Sequence, residues 1–221
     1  VPLQFENIYV EGIRDIALDD VRYAEALGYS IKHLAIAAND SSGVQLRVHP
    51  TLIPARHMLA NVNGVMNAVL IRGDAVGQMM LSGAGAGAEP TASSVVADLV
   101  DVVRALTTDP GNRVPHLAFQ PDALSQAPVC PMADVESAYY LRMDARDQPG
   151  VLADIARILA SHEISIEAIR QQKPAAAAVT VPVVILTQRV REQAMQLAIA
   201  EMTALADIHG DIVRYRMETF A

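Results

Sequence analysis

Tyr140-Leu141-Arg142-Met143-Asp144-Ala145-Arg146-Asp147-Gln148-Pro149-Gly150-Val151-Leu152 contains a change of period. Tyr140 to Ala145 reads as a strand, whereas Val151, Leu152, Ile155, Ile158 and Leu159 recur at helical spacing and line one face. Between the two, Asp147 is placed to cap free backbone N–H groups, Pro149 suits a first helical turn, and Gly150 lets another group come close to the backbone. A helix start of this kind attracts a carboxylate, such as that of a free amino acid. Downstream, Ile164, Ile166 and Ala168 alternate as a second strand. Val181 to Thr187 gives a third, in which Pro182 must sit at the beginning or on an edge. Met195, Ala198, Ile199, Met202 and Leu205 line another helix, and Ile212 to Met217 forms a last strand. The order β-α-β-β-α-β predicts a ferredoxin-like domain over residues 138–221.

Upstream lies a segment with neither period. Pro110, Pro115, Pro121, Pro128 and Pro131 all fall between Thr107 and Asp134, so residues 108–137 read as a proline-rich linker. Before it, Val21, Ala24 and Leu27 followed by Gly28 indicate a short helix with a glycine C-cap. Ile31–Ala38 and Val44–Val48 flank a polar turn, and Val65–Ile71 and Ala75–Leu81 follow the Asn63-Gly64 turn, which suggests a mainly antiparallel sheet. Val95, Val96, Leu99, Val102, Val103 and Leu106 then form one apolar helical face, with Pro90 near the helix start. The expectation is an α+β chain: an antiparallel sheet with covering helices over residues 1–107, then the linker, then the ferredoxin-like domain.

The 221 residues are 52% hydrophobic and 19% charged, which suits two folded cores and excludes a wholly disordered chain. A net charge of -8 without a basic cluster argues against nucleic acid as a partner. Ala175–Leu186, the longest apolar run, contains Thr180 and Pro182 and falls short of the roughly 20 residues of a bilayer span, so no membrane is expected. A single cysteine, Cys130, and no secretory pattern point to the cytoplasm. The first residue is Val1 rather than Met, which suggests numbering that starts inside a longer polypeptide, with further function upstream.

The strand, the Asp147-Gln148-Pro149-Gly150-Val151-Leu152 turn, the helix and Glu163-Ile164-Ser165-Ile166-Glu167 together closely resemble an ACT domain over about 80 residues. That resemblance implies pairing of such domains around a small effector, usually an amino acid, held between the turn before the first helix and the start of the second strand of a partner. It assigns Asp147, Gly150, Val151, Leu152 and Ile164 to the effector site.

Gly83-Ala84-Gly85-Ala86-Gly87-Ala88 formally satisfies the dinucleotide-binding glycine pattern, but the following helix runs into the linker instead of a second parallel strand with an acidic residue. The run reads better as a small-residue loop that lets backbone lie against a flat ligand, or as close helix–sheet packing. Four ordered segments decide between these: Tyr9-Val10-Glu11-Gly12-Ile13, Val48 to Pro54, Leu59 to Val69, and Gly83 to Gly87 with Pro90-Thr91-Ala92. Together they resemble the catalytic region of homoserine dehydrogenase, whose long bacterial forms end in an ACT domain. The resemblance implies reduction of L-aspartate 4-semialdehyde to L-homoserine with NADP or NAD as cofactor, threonine as feedback effector, and a homo-oligomer. It places Gly87, with Gly85, at the nicotinamide end of the cofactor. The family's catalytic lysine precedes the segment resembling Val10-Glu11-Gly12-Ile13. Lys32 and Lys173 match no such motif, so no catalytic residue is assigned within these residues and they are expected to be inactive alone. The alternative is a non-enzymatic module that binds an amino acid and dimerises.

Other chemistry-bearing residues read blandly. His49 and His57 have no carboxylate or thiol beside them, so no metal is expected. Asp98 and Asp101 lie opposite an apolar stripe, and Cys130 has no basic neighbour.

Overall fold

A computed structural model describes residues 5–40, 43–108, 128–171 and 179–220. In chain order the elements are β1 (Tyr9–Val10), α1 (Leu18–Ala26), β2 (Tyr29–Asp40), β3 (Gly43–Pro54), β4 (Met66–Gly73), β5 (Gly77–Ala84) and α2 (Ala88–Thr107), then β6 (Glu136–Arg146), α3 (Val151–Ser161), β7 (Ile166–Gln171), β8 (Thr180–Thr187), β9 (Val190–Arg191), α4 (Glu192–Thr203) and β10 (Ile208–Met217). The described residues fall into two compact units, one of residues 5–55 with 128–220 and the other of residues 56–108. This division differs from the sequence partition at residues 107 and 138, because the early strands join the late sheet.

In the larger unit, β10-β6-β8-β7 is an antiparallel sheet in ferredoxin-like order, with α3 and α4 connecting its strands and the short β9 added before α4. Alternation along the strands separates its two faces. Tyr139, Leu141, Met143 and Ala145 of β6 and Val181, Val183 and Ile185 of β8 pack with Val151, Ile155 and Leu159 of α3 and Met195, Ala198 and Met202 of α4. Tyr140, Val184, Leu186, Tyr215 and Met217 face the other way and pack with Ala24 of α1 and Leu52 of β3. Both faces are therefore buried, which explains near-continuous apolar strands. At about 1.5–3 kcal/mol per fully buried large side chain, this two-sided packing is the main stabilising term. Pro182 occupies the start of β8, beyond the last β7 pair at Gln171 and Val183.

β3 extends the same sheet, pairing in parallel with β10 at Thr51 and Leu52 and with β1 at Arg47 and Val48, and antiparallel with β2 from Tyr29 to Asp40. The sequence ended this strand at Val48 because prolines follow, yet it continues to Pro54. The backbone carbonyl of Val48 accepts from Glu11 and that of Leu52 from Glu218, so Pro50, in phase with both, turns its nitrogen toward the same side. There it meets the seam between β1 and β10, and no ladder hydrogen bond is lost.

In the smaller unit β4 and β5 form a separate antiparallel hairpin, and α2 follows. The early strands thus belong to two sheets rather than one. The apolar stripe of α2 is present as expected, but Val95, Leu99, Val103 and Leu106 are all exposed in this chain.

Most of the linker, residues 109–127, lies outside the described residues. In its final part the Val44 N–H donates to the Pro128 carbonyl and the Val44 carbonyl accepts from the Cys130 N–H, which lays residues 128–130 along the start of β3, and β6 begins at Glu136. No described helix is long and apolar enough to cross a membrane.

Candidate functional site

The turn between β6 and α3 lines a cavity of about 330 Å³ together with β7 and β8. Asp147, Gly150, Val151 and Leu152 lie on its wall as expected from the sequence, joined by Arg146, Gln148, Gln171 and Val183. Gly150 is the N-cap of α3 with φ of 100°, a left-handed conformation that favours glycine, and no side chain caps the helix. Asp147 was expected to supply that cap. Instead its carboxylate accepts from Gln171 Nε2 at 3.1 Å, tying the turn to the end of β7. The first-turn N–H groups after Val151, whose own N–H donates to the Gln148 carbonyl, and Arg146, which pairs with Asp207, offer positive potential for a carboxylate, and Asp147 offers an acceptor for an ammonium group. Ile164 does not reach this wall. It is buried in the core, and its N–H donates to the Leu159 carbonyl as α3 ends. Gln171 and Val183 carried no local signal, because only strand pairing brings them to a turn roughly 20 and 35 residues away in sequence.

In the smaller unit, Gly85, Ala86 and Gly87 with Thr91, Ala92 and Val95 line an open depression at the start of α2. Gly87 is the N-cap of α2 with φ of 115°, again without a side-chain cap. Gly85 has a different constraint. A Cβ there would lie 2.7 Å from Asn67 Cγ, and its N–H donates to the Val65 carbonyl at 2.8 Å, so an added methyl group would displace the exposed Asn67 side chain.

His49 is fully buried in β3, with Nδ1 near the Pro50 carbonyl at 3.1 Å and Thr51 Oγ1 at 3.0 Å. Burial first, then the Arg216 and Arg47 charges, lower its pKa to about 4, so the ring is neutral. His57 caps a short 3-10 turn by accepting from the Leu59 N–H, and Asp101 pairs with Arg104 on the exposed face of α2. Among the described residues no three ligating side chains gather as a metal site. Cys130 is buried. Lys32 lies in β2, and Lys173 lies outside the described residues.

Residues 1–100 match the family model of homoserine dehydrogenase and residues 139–197 that of the ACT domain. The chain is 58% identical to homoserine dehydrogenase of Pseudomonas aeruginosa over 218 residues, covering 99% of this chain and 50% of that protein. It is 47% identical to that of Neisseria gonorrhoeae over the same shares. The crystal structure of a homoserine dehydrogenase from Thiobacillus denitrificans matches all of this chain and 50% of that one, with a TM-score of 0.90 and 54% identity. The chain spans about half the length of these relatives. It belongs to the homoserine dehydrogenase family, joining part of that enzyme's catalytic region to an ACT domain.

Proposed function

We propose that this chain is part of a cytoplasmic, homo-oligomeric enzyme that reduces L-aspartate 4-semialdehyde to L-homoserine with NADP or NAD, on the path to threonine, methionine and isoleucine. Threonine binds at the ACT pocket as feedback effector. The observation that carries this reading is the continuous match of the whole chain to half of homoserine dehydrogenase, over both regions.

The loop at the start of α2 suits a flat cofactor. From Gly83 to Ala88 no side chain exceeds a methyl group, and the α2 N-terminus is uncapped. Gly87, with Gly85 and the Ala86 backbone, is the surface offered to the ring. When bound, the cofactor supplies the hydride. These residues contribute an unobstructed backbone wall, and the proton-handling lysine lies in the half of the enzyme not spanned here. The exposed stripe of α2 and the exposed Val69 and Leu81 of the hairpin suit burial against that half or against a second copy.

At the ACT pocket, an amino acid places its carboxylate at the uncapped start of α3 and its ammonium toward Asp147. The alternative, a purely regulatory amino-acid-binding module, is separated by one assay. NADPH oxidation with aspartate semialdehyde is measured for this chain and for the full-length polypeptide. Turnover by the longer polypeptide alone is the expected result. Turnover by this chain overturns the placement of the catalytic groups, and none by either overturns the enzymatic reading.

A further inference from the structure

Glu192 opens α4 yet its side chain is 0% exposed. Arg216 donates to it through Nε and Nη2, both at 2.8 Å, Arg214 through Nη1 at 2.7 Å, and Tyr139 through its hydroxyl at 2.8 Å. The same guanidiniums turn their remaining nitrogens to Glu11, with Arg214 Nη2 at 2.9 Å and Arg216 Nη1 at 3.0 Å. Tyr9 completes the ring, its hydroxyl donating to Glu11 and accepting from Arg216 Nη2 at 3.1 Å. Two carboxylates and two guanidiniums thus alternate with no net charge, one carboxylate from the ACT helix and the other from the segment after β1. A second bolt lies on the opposite sheet face. Asp20 of α1 is 0% exposed and accepts from Arg142 Nε at 2.5 Å and from the Tyr140 hydroxyl at 2.9 Å.

Strand β6 connects both clusters to the effector pocket. Ala145 and Arg146 line the pocket, while Tyr139, Tyr140 and Arg142 hold the carboxylates. At about 3.3 Å per residue, Ala145 and Tyr139 lie roughly 20 Å apart along the strand. Charge-assisted hydrogen bonds in a buried cluster admit few arrangements, so a small displacement of β6 or α4 must either carry Glu11 with it or break a buried pair.

We propose that the Glu11–Arg214–Arg216–Glu192 cluster is the link by which occupancy of the pocket at the start of α3 changes the Tyr9–Ile13 segment. The proposal rests on the amino-acid reading of that pocket. Hydrogen exchange of the peptide spanning residues 5–16 tests it, in the full-length polypeptide with and without saturating threonine, with binding followed by calorimetry. Threonine should change protection in the parent by about fivefold or more, the scale of ordinary allosteric coupling, and by less than about twofold in Glu11→Gln. Tyr9→Phe, which keeps every ion pair, folds more safely and should give an intermediate change. An equal response in the parent and in either variant overturns the proposal. So does threonine binding without any response in the parent, which leaves the pocket reading intact. No threonine binding to the parent removes the pocket reading and the proposal together.

Discussion

Gly85 and Gly87 stand two positions apart in one loop, and a substitution at each should act differently. At Gly85 an added methyl group meets only the exposed side chain of Asn67, which can turn away, so Gly85→Ala should change the stability of the smaller unit by no more than about 0.5 kcal/mol. Thermal melts of the parent and the variant check this, and a loss above about 1 kcal/mol would show that Asn67 is held in place. At Gly87 any L-residue takes up a φ of 115°, so a bulky substitution there mixes backbone strain with ligand obstruction. Gly150, at 100°, carries the same confusion. Asp147→Ala is the cleaner probe of the pocket, since it removes only an exposed carboxylate whose bond goes to Gln171. It should weaken threonine binding by about tenfold while the melting temperature stays near the parent value, as calorimetry and a thermal melt can show. The turns at Gly87 and Gly150 were legible because local spacing carries them. The approach of Asn67 to Gly85 was not, because only the β4–β5 register brings the two together.

Helices α2, α3 and the body of α4 were legible from apolar periodicity. The first residue of α4 was not. Glu192 reads as an ordinary acidic first-turn residue, suited to the helix dipole and expected in solvent, whereas it is buried between two arginines that follow it by 22 and 24 positions. Removing its charge leaves two guanidiniums buried around one remaining carboxylate. Glu192→Gln should therefore destabilise the larger unit by about 3–5 kcal/mol, far more than an exposed helix-end substitution would. Urea denaturation at neutral pH checks this, and a loss within about 0.5 kcal/mol of the parent would show that the cluster is not held as the geometry indicates. The same logic explains β3. A strand that receives β1, β10 and β2 accommodates Pro50 because the missing donor falls at a seam, a circumstance that no local pattern encodes.

Across the whole molecule, the two sequence regions share one sheet, and their polar joints titrate in the same direction. His49 is held neutral with a pKa near 4, lowered chiefly by burial and further by Arg216 and Arg47, while an unfolded histidine titrates near 6.5. As pH falls from about 6.5 to 4 the unfolded chain takes up a proton that the folded chain refuses, so stability drops, by up to about 3 kcal/mol. Burial alone would raise both carboxylates. At Glu11 the Tyr9 hydroxyl with Arg216 and Arg214 outweighs it, and at Glu192 Arg216, Arg214 and the Tyr139 hydroxyl do so, which holds both below the ordinary range. Their contribution is fully present above the unfolded carboxylate pKa of about 4.3 and is lost as pH falls through the lower folded values. Acidification should thus act in two stages, histidine first and the ion cluster afterwards. Denaturant midpoints at pH 7, 5.5, 4 and 3, converted to free energies, separate the stages. His49→Asn places an uncharged amide near the Nδ1 position, so it should flatten the parent's slope between pH 6.5 and 4 while leaving the steeper loss below pH 4. If parent and variant slopes coincide above pH 4, the imidazole is protonated in the folded protein, and the packing around β3 must open to admit that charge between two arginines.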